Sequence, residues 1–451
     1  MHLFRATCLW MIGSTAMAAT TTTTPTFYKD VLPILQKRCQ ECHRPGELAP
    51  MSLLSYQEAR PWAKSIKSSV VSKKMPPWFA DPRYGHFANE RKLTDSEVTT
   101  LVAWVDAGSP EGDTKDKPAP VKSYDGWNIK PDVVIEMPKA VEIPAVGTVE
   151  YTYVIVPTGF TKDTWVTAAE VRPSNRAVVH HVIAFVRTPG ALYLRDAKPG
   201  EPVIPNAGVM RDENGFPAQP SKRQHIAEIQ RAENQDVGPE FLAGYAPGLQ
   251  PQRFSIGGND AAKLIPAGSD IVFQLHYAAN GKATSDHTKI ALTLAPAPPQ
   301  HRFLTLNALN TQIDIPAGDS NYESHASVTL KQNADLVWLQ PHMHLRGKDM
   351  TFKVTYPTGE SEILLQVPHF SFSWQLGYEE AKPILLPKGS RIDVTAHHDN
   401  SMNNPDNPNP RLDVRWGDQS WEEMMIGWMG LVVNADANPK AILSRPPRQS
   451  E

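Results

Sequence analysis

Cys39-Gln40-Glu41-Cys42-His43 forms a C-x-x-C-H pentapeptide. Two thiols at this spacing make thioethers to porphyrin vinyl groups, and the adjoining imidazole becomes an axial iron ligand. The pattern therefore calls for one covalent haem c held by Cys39, Cys42 and His43. A thioredoxin-like redox pair would need a βαβ context, and a zinc site would need more cysteines. The chain has three cysteines, and the third, Cys8, lies in an apolar leader. A thioether opposite His43 would raise the haem potential. Met75 and Met51 compete for that position. Met75 precedes Pro76-Pro77-Trp78, and the two prolines stiffen an extended segment that can present the sulfur, so Met75 is the expected ligand and Met51 is expected to pack.

Histidine supplies a second set of donors. His342-Met343-His344 follows Pro341 at a predicted strand end. Residues i and i+2 of a strand project from one face, so both imidazoles can converge on one metal. His180-His181 and His397-His398 are adjacent pairs, which a regular strand would point to opposite faces. A shared metal there requires a bulge or irregular backbone. His276 ends the apolar run Gln274-Leu275-His276-Tyr277.

The elements that must position these groups follow from composition and pattern. Residues 1–19 read as a secretory signal peptide, with Arg5, an apolar stretch from Ala6 to about Met17, and the small-x-small site Ala16-Met17-Ala18. The apolar run is well short of the roughly 20 residues that span a bilayer, and no later stretch is long enough, so no transmembrane segment is expected in the mature chain. A periplasmic or secreted location follows. With 45 basic against 48 acidic residues and a net charge of -3, nothing points to nucleic acid or an anionic membrane as partner. The 41 prolines, about twice the usual 5 %, disfavour long helices through most of the chain.

Helical patterns flank the haem motif. Thr94-Asp95-Ser96-Glu97 is a capping box opening a helix with Val98, Leu101, Val102 and Val105 on one face, stopped by Gly108 and Pro110. Ser55 to Lys73 predicts a second helix, weakened by Pro61. Ser109 to Tyr124 reads as an extended linker. Beyond Trp127 come short apolar or alternating runs punctuated by Gly, Pro, Asn and Asp, among them Glu150 to Val156, Val178 to Val186, Ile271 to Tyr277, Leu336 to Leu339 and Arg391 to Thr395. Such runs without intervening helices argue for β-sandwiches or jelly rolls. The expected fold class is multidomain: an all-α cytochrome c domain (25–110), a linker (111–125), and two all-β jelly-roll sandwich domains (126–296 and 297–445), with the break near Ala295-Pro296-Ala297-Pro298-Pro299.

The ordered series His180-His181, Gln274-x-His276-Tyr277, His342-x-His344-Leu-x-Gly347-Lys348 and Glu423-Met424 resembles the copper type II ascorbate-dependent monooxygenases, the family of peptidylglycine α-hydroxylating and dopamine β-monooxygenases. The similarity covers roughly residues 125 to 440. The resemblance implies two coppers: one for electron transfer held by His180, His181 and His276, and one that binds dioxygen held by His342, His344 and Met424. Only the Glu-Met match singles out Met424 from Met425 and Met429, which pattern alone would place in the core. His397 and His398 have no counterpart among the family's ligands and are expected to be structural or to support the ligands. The N-terminal part looks like the cytochrome c domains sometimes fused to such proteins.

The chain departs from the peptide-hydroxylating members where they grip a substrate carboxylate, carrying Gln340, Ile426 and Trp428 in place of Arg, Asn and Tyr. Gln cannot replace the charge of a guanidinium fork, so amidation of glycine-extended peptides is not expected. The family's disulfides are also missing. The expected function is a periplasmic haem- and copper-dependent monooxygenase that hydroxylates a C–H bond of a small organic substrate with dioxygen. The haem would relay electrons from a periplasmic donor, either an ascorbate-like reductant or a redox protein. The alternative is a non-catalytic periplasmic electron-transfer or copper-binding cytochrome c protein. Nitrite reductases and laccases need a cysteine-ligated copper, and both remaining cysteines are committed to haem. A dihaem peroxidase would need a second C-x-x-C-H.

Overall fold

The computed structural model describes residues 24–47, 49–122, 124, 126–204, 240–258 and 260–446. The leader, with Cys8, lies outside the described residues.

The expected all-α cytochrome c domain ahead of two jelly-roll sandwiches is overturned. The described chain is mostly β-sheet. Around the C-x-x-C-H motif it forms helices of only seven, four, nine and twelve residues, Leu32–Arg38, Tyr56–Ala59, Ala63–Val71 and Asp95–Asp106, joined by irregular backbone. Proline is the physical reason. Pro61 turns the middle of the expected Ser55–Lys73 helix into the 3-10 turn Arg60–Trp62, and the next stretch, with Pro76, Pro77 and Pro82, runs through bends and turns without a helix. The capping box is present, with Thr94 Oγ1 accepting from the Glu97 amide at 3.2 Å and Glu97 Oε2 accepting from the Thr94 amide at 2.8 Å. The helix it opens buries Leu101 and Trp104 against Phe27, Leu32 and Leu35.

This helical segment does not stand free of the sheets. Trp78 and Phe87 pack on Tyr378, with ring centroids 5.0 and 5.3 Å apart. Backbone bonds from Ala88 to Glu379 (2.8 Å) and from Ala381 to His86 (2.7 Å) add residues 86–88 to a sheet edge. Glu47 meets Arg44, Arg172 and Arg176, and Arg91 joins Glu41 Oε2 (3.0 Å) to the Gly248 carbonyl (2.6 Å). Four separate ties therefore fix the haem motif relative to the β body.

One nine-stranded sheet runs through the whole β body. The two halves join where His301–Leu309 lies parallel to Ala261–Ile265. Over the N-terminal half lies a four-stranded sheet made of Thr152–Pro157, Asp270–Tyr277, Val179–Arg187 and Glu240–Tyr245. Val154, Val182, Phe273 and Leu292 fill the space between. Over the C-terminal half lies a five-stranded sheet containing Gly347–Thr355 and Arg391–His398, with Leu336, Phe352, Val394 and Met429 between the layers. Burying such side chains on both inner faces stabilises each layer pair by about 1.5–3 kcal/mol per large apolar residue. At the seam between the halves, Phe241 packs on Trp338 and Trp428, with ring centroids 6.3 and 5.4 Å apart, and Phe372 meets histidines of both.

Candidate functional site

His181 and His276 sit directly opposite each other on the paired strands Val179–Arg187 and Asp270–Tyr277. The register slips between Val179 and His181, so His180 is the extra residue of a bulge. A bulge re-aims its side chain, which brings His180 to the same side as its neighbour. The three Nδ1 atoms converge: His181 Nδ1 lies 3.2 Å from that of His180 and 3.3 Å from that of His276. One donor atom from each residue lies within 4.8 Å of the others. Burial drives the His180 imidazole down to about 4 and those of His181 and His276 well below their ordinary value, so all three rings are neutral. Each neutral imidazole carries one ring proton and one free lone pair, and three ring nitrogens gathered this closely form a ready donor set. A metal ion fits this donor set.

The second cluster is built by strand alternation. His342 pairs with Ile426 and Met343 with Met425 across Ala334–Met343 and Met425–Asn434. Met343, Met425 and Met429 are fully buried in the C-terminal core. Their neighbours of opposite parity, His342 and Met424, therefore project from the other face. Met424 is only half-buried, immediately before the strand. The His342 and His344 rings stand 5.3 Å apart and nearly perpendicular.

Hydrogen bonds select which nitrogen each ring offers. Gln375 Oε1 lies 2.6 Å from His342 Nδ1, and the Glu422 carbonyl 3.3 Å from His344 Nδ1. Both oxygens can only accept, so the protons sit on Nδ1 and the Nε2 lone pairs are free. Burial lowers the His342 imidazole to about 4 and holds that of His344 well below its ordinary value. Behind them, the Glu423 carboxylate accepts from the amides of His344, Met424 (2.9 Å) and Arg346 (3.0 Å). Burial pushes Glu423 up to about 7, against the pull of those amides and of the Arg346 guanidinium. Arg346 is itself buried, donating to Asn400 Oδ1 (2.7 Å) and the Trp421 carbonyl (2.9 Å). His398 lies behind this group, its Nδ1 3.9 Å from Glu423 Oε2 and its Nε2 2.9 Å from Ser324 Oγ. His397 bonds Asp349 at 2.7 Å on the outer side. Neither of the pair joins the two clusters.

Phe372 stands between the clusters. It stacks on His180 at 4.6 Å and meets His344 edge-on at 6.0 Å. Tyr151 closes the other side of the first cluster, 4.7 Å from the His276 ring. The sequence reading missed Phe372, Tyr151, Gln375 and Arg346. Aromatic and amide residues on loops carry no spacing that marks them, and Arg346, beside the His-x-His motif, offered the one local signal.

The C-x-x-C-H motif opens onto a cavity of about 270 Å³ lined by Cys39, Cys42, His43, Met51, Met75 and Trp374, with Leu35, Ile66 and Val70 supplying apolar walls. Burial pushes the thiols up to about 12 for Cys39 and about 11 for Cys42. Redox C-x-x-C pairs have lowered thiol values, so this pair is not poised for disulfide exchange. The Met51 carbonyl lies 3.3 Å from His43 Nδ1, which puts the proton there and leaves Nε2 for a ligand. Both methionines line the cavity. Met51 has its backbone behind the imidazole, whereas Met75 reaches the cavity from the separate segment after Ala63–Val71.

No family model matches the chain, and no curated protein matches it. Among solved structures the chain is similar to PNGF-II, at 10% identity over 76% of this chain and 70% of that one, with a TM-score of 0.27. It is also similar to infectious bursal disease virus, Gt strain, at 9% identity over 72% and 76% with a TM-score of 0.18, and to allantoicase from Saccharomyces cerevisiae, at 8% over 64% and 80% with a TM-score of 0.17. Likenesses at this level assign neither a family nor an activity, and the chemistry rests on the residues themselves.

Proposed function

We propose that the protein is an exported haem- and copper-dependent monooxygenase that hydroxylates a C–H bond of a small organic substrate. The observation that carries this reading is the convergence of three neutral imidazoles at His180, His181 and His276, facing a second pair at His342 and His344 across one phenylalanine. His180, His181 and His276 would hold one copper, His342, His344 and Met424 the other, and Cys39, Cys42, His43 and Met75 one haem. Copper on such donors cycles between its cuprous and cupric states and reacts with dioxygen when reduced, while haem supplies single electrons.

The chain's own groups do the rest. Gln375 and the Glu422 carbonyl hold protons on Nδ1 of His342 and His344, so each ring points its free nitrogen the same way at every turnover. Glu423 accepts from the amides of His344, Arg346 and Met424 and so ties the end of the His-x-His strand to Met424. The imidazoles resist protonation because they are buried, so the donor sets stay intact in mildly acidic surroundings. Gln340, Ile426 and Trp428 share the parity of His342 and include no cation, which favours a neutral substrate over a carboxylate.

Oxygen consumption tests the reading. The haem- and copper-loaded protein, reduced anaerobically and mixed with oxygenated buffer carrying a panel of small neutral aromatic and aliphatic compounds, should consume oxygen. At least one compound should gain a single labelled oxygen from ¹⁸O₂, and His342→Ala should abolish this with the haem spectrum unchanged. Equal uptake by wild type and His342→Ala, without labelled product, would instead favour a non-catalytic electron carrier.

A further inference from the structure

Four consecutive residues, Phe372 to Gln375, touch all three candidate cofactor sites. Trp374 lines the cavity that holds Cys39, Cys42 and His43. Its neighbour Gln375 places Oε1 2.6 Å from His342 Nδ1. Two residues earlier, Phe372 stacks on His180 at 4.6 Å and meets the edge of His344. The helical segment and the two halves of the β body thus share one short stretch of chain.

The stretch is held rigidly. The Trp374 amide donates to the Ser371 carbonyl at 3.0 Å, Gln375 Nε2 to the Phe372 carbonyl at 3.3 Å, and Gln340 Nε2 to the Gln375 carbonyl at 3.1 Å. Gly248 lies so close to the indole that a Cβ there would stand 2.8 Å from Trp374 Cε3. Its carbonyl accepts from Arg91, whose other nitrogen binds Glu41 inside the C-x-x-C-H motif. Trp374 is therefore clamped from the haem side and from the β body.

We propose that Trp374 and Gln375 form the electron bridge from the haem pocket to the copper ligands, with Phe372 as the branch to His180. The proposal rests on the haem and copper reading above. One electron crosses per transit, with ferrous haem as the reductant and cupric ion as the oxidant, and no bond is made or broken. The route runs from the indole at the haem wall through two adjacent residues and one short hydrogen bond to His342, without leaving the covalent chain until that bond. Both residues are positioning residues, since neither is assigned a bond to iron or copper.

The test uses the full-length protein loaded with haem and cupric ion under argon. Flash photoreduction of the haem, followed at its ferrous absorption band, reads the transfer, and the cupric electron paramagnetic resonance signal reads its destination. Wild type should show a phase independent of protein concentration. Trp374→Leu and Gln375→Leu should each slow it at least tenfold; Trp374→Leu keeps the copper content and the wild-type rate of direct copper reduction by ascorbate, and Gln375→Leu, which loosens the hold on His342, is read with cupric ion in excess so that the site is filled. Trp374→Phe, which keeps an aromatic ring at the wall, should stay within a few-fold of wild type. If Trp374→Leu does not accumulate folded, Gln375→Leu reads the same prediction at the other end. Wild-type rates in both leucine variants would overturn the bridge alone. A wild-type protein that binds no copper would overturn the functional reading beneath it.

Discussion

Gln375 and His342 meet at 2.6 Å, amide oxygen to Nδ1, from opposite sides of the seam between a loop and the strand Ala334–Met343. The amide cannot donate through that oxygen, so the imidazole must, and which nitrogen of His342 keeps its lone pair free is decided by a residue outside the histidine motif.

Gln375→Ala should therefore weaken copper binding at that site by about 10- to 100-fold, the usual cost of losing a partner that orients a ligand. Competition titration of the cuprous protein against a chromogenic chelator measures it. Gln375→Glu, which keeps an acceptor, should retain most of the affinity.

Met75→Ala should change the haem absorption spectrum and lower its potential, because a thioether opposite histidine raises that potential. Met51→Ala should leave both nearly unchanged, since the Met51 backbone carbonyl, not its sulfur, serves His43. Redox titration of the two variants decides which methionine faces the iron.

Arg346→Met should destabilise the fold by about 1–3 kcal/mol, the range for removing one partner of a buried hydrogen bond. The change removes the guanidinium that donates to the Asn400 side-chain oxygen and the Trp421 carbonyl and whose charge favours the Glu423 carboxylate. Urea unfolding of the apo-protein at neutral pH measures this.

Glu380 gives a pH signature. It is buried where residues 86–88 join the sheet edge, and burial, with the Glu362 charge adding to it, pushes its carboxyl up to about 8 from an ordinary 4.5. The native state keeps the proton over a window in which the unfolded chain has released it. This contribution is whole below about pH 4.5, declines as pH rises, and is gone above about pH 8, an effect of order a few kcal/mol at most. Glu380→Gln should remove that slope and raise the urea midpoint at pH 8–9 relative to wild type.

Local spacing carried what was legible. C-x-x-C-H and His-x-His stand out within five residues, and the apolar run Ile271 to Tyr277 marks the strand that presents His276. The adjacent pair His180-His181 called for a bulge, and the register slip after Val179 is one. The helical domain failed because Pro61 divides the expected Ser55–Lys73 helix, and because Trp78 and Phe87 pack on Tyr378 rather than in a helical core. Phe372, Trp374 and Gln375 were invisible, since their partners, from His344 to Cys39, lie 28 to 335 positions away and their loop has no period.

Metal analysis of purified full-length protein tests the central claim most directly. Wild type should carry two coppers and one haem iron per chain, His276→Ala and His342→Ala should each lose about one copper, and all three should keep the haem. Copper content that is zero in wild type, or that neither substitution lowers, would contradict the account.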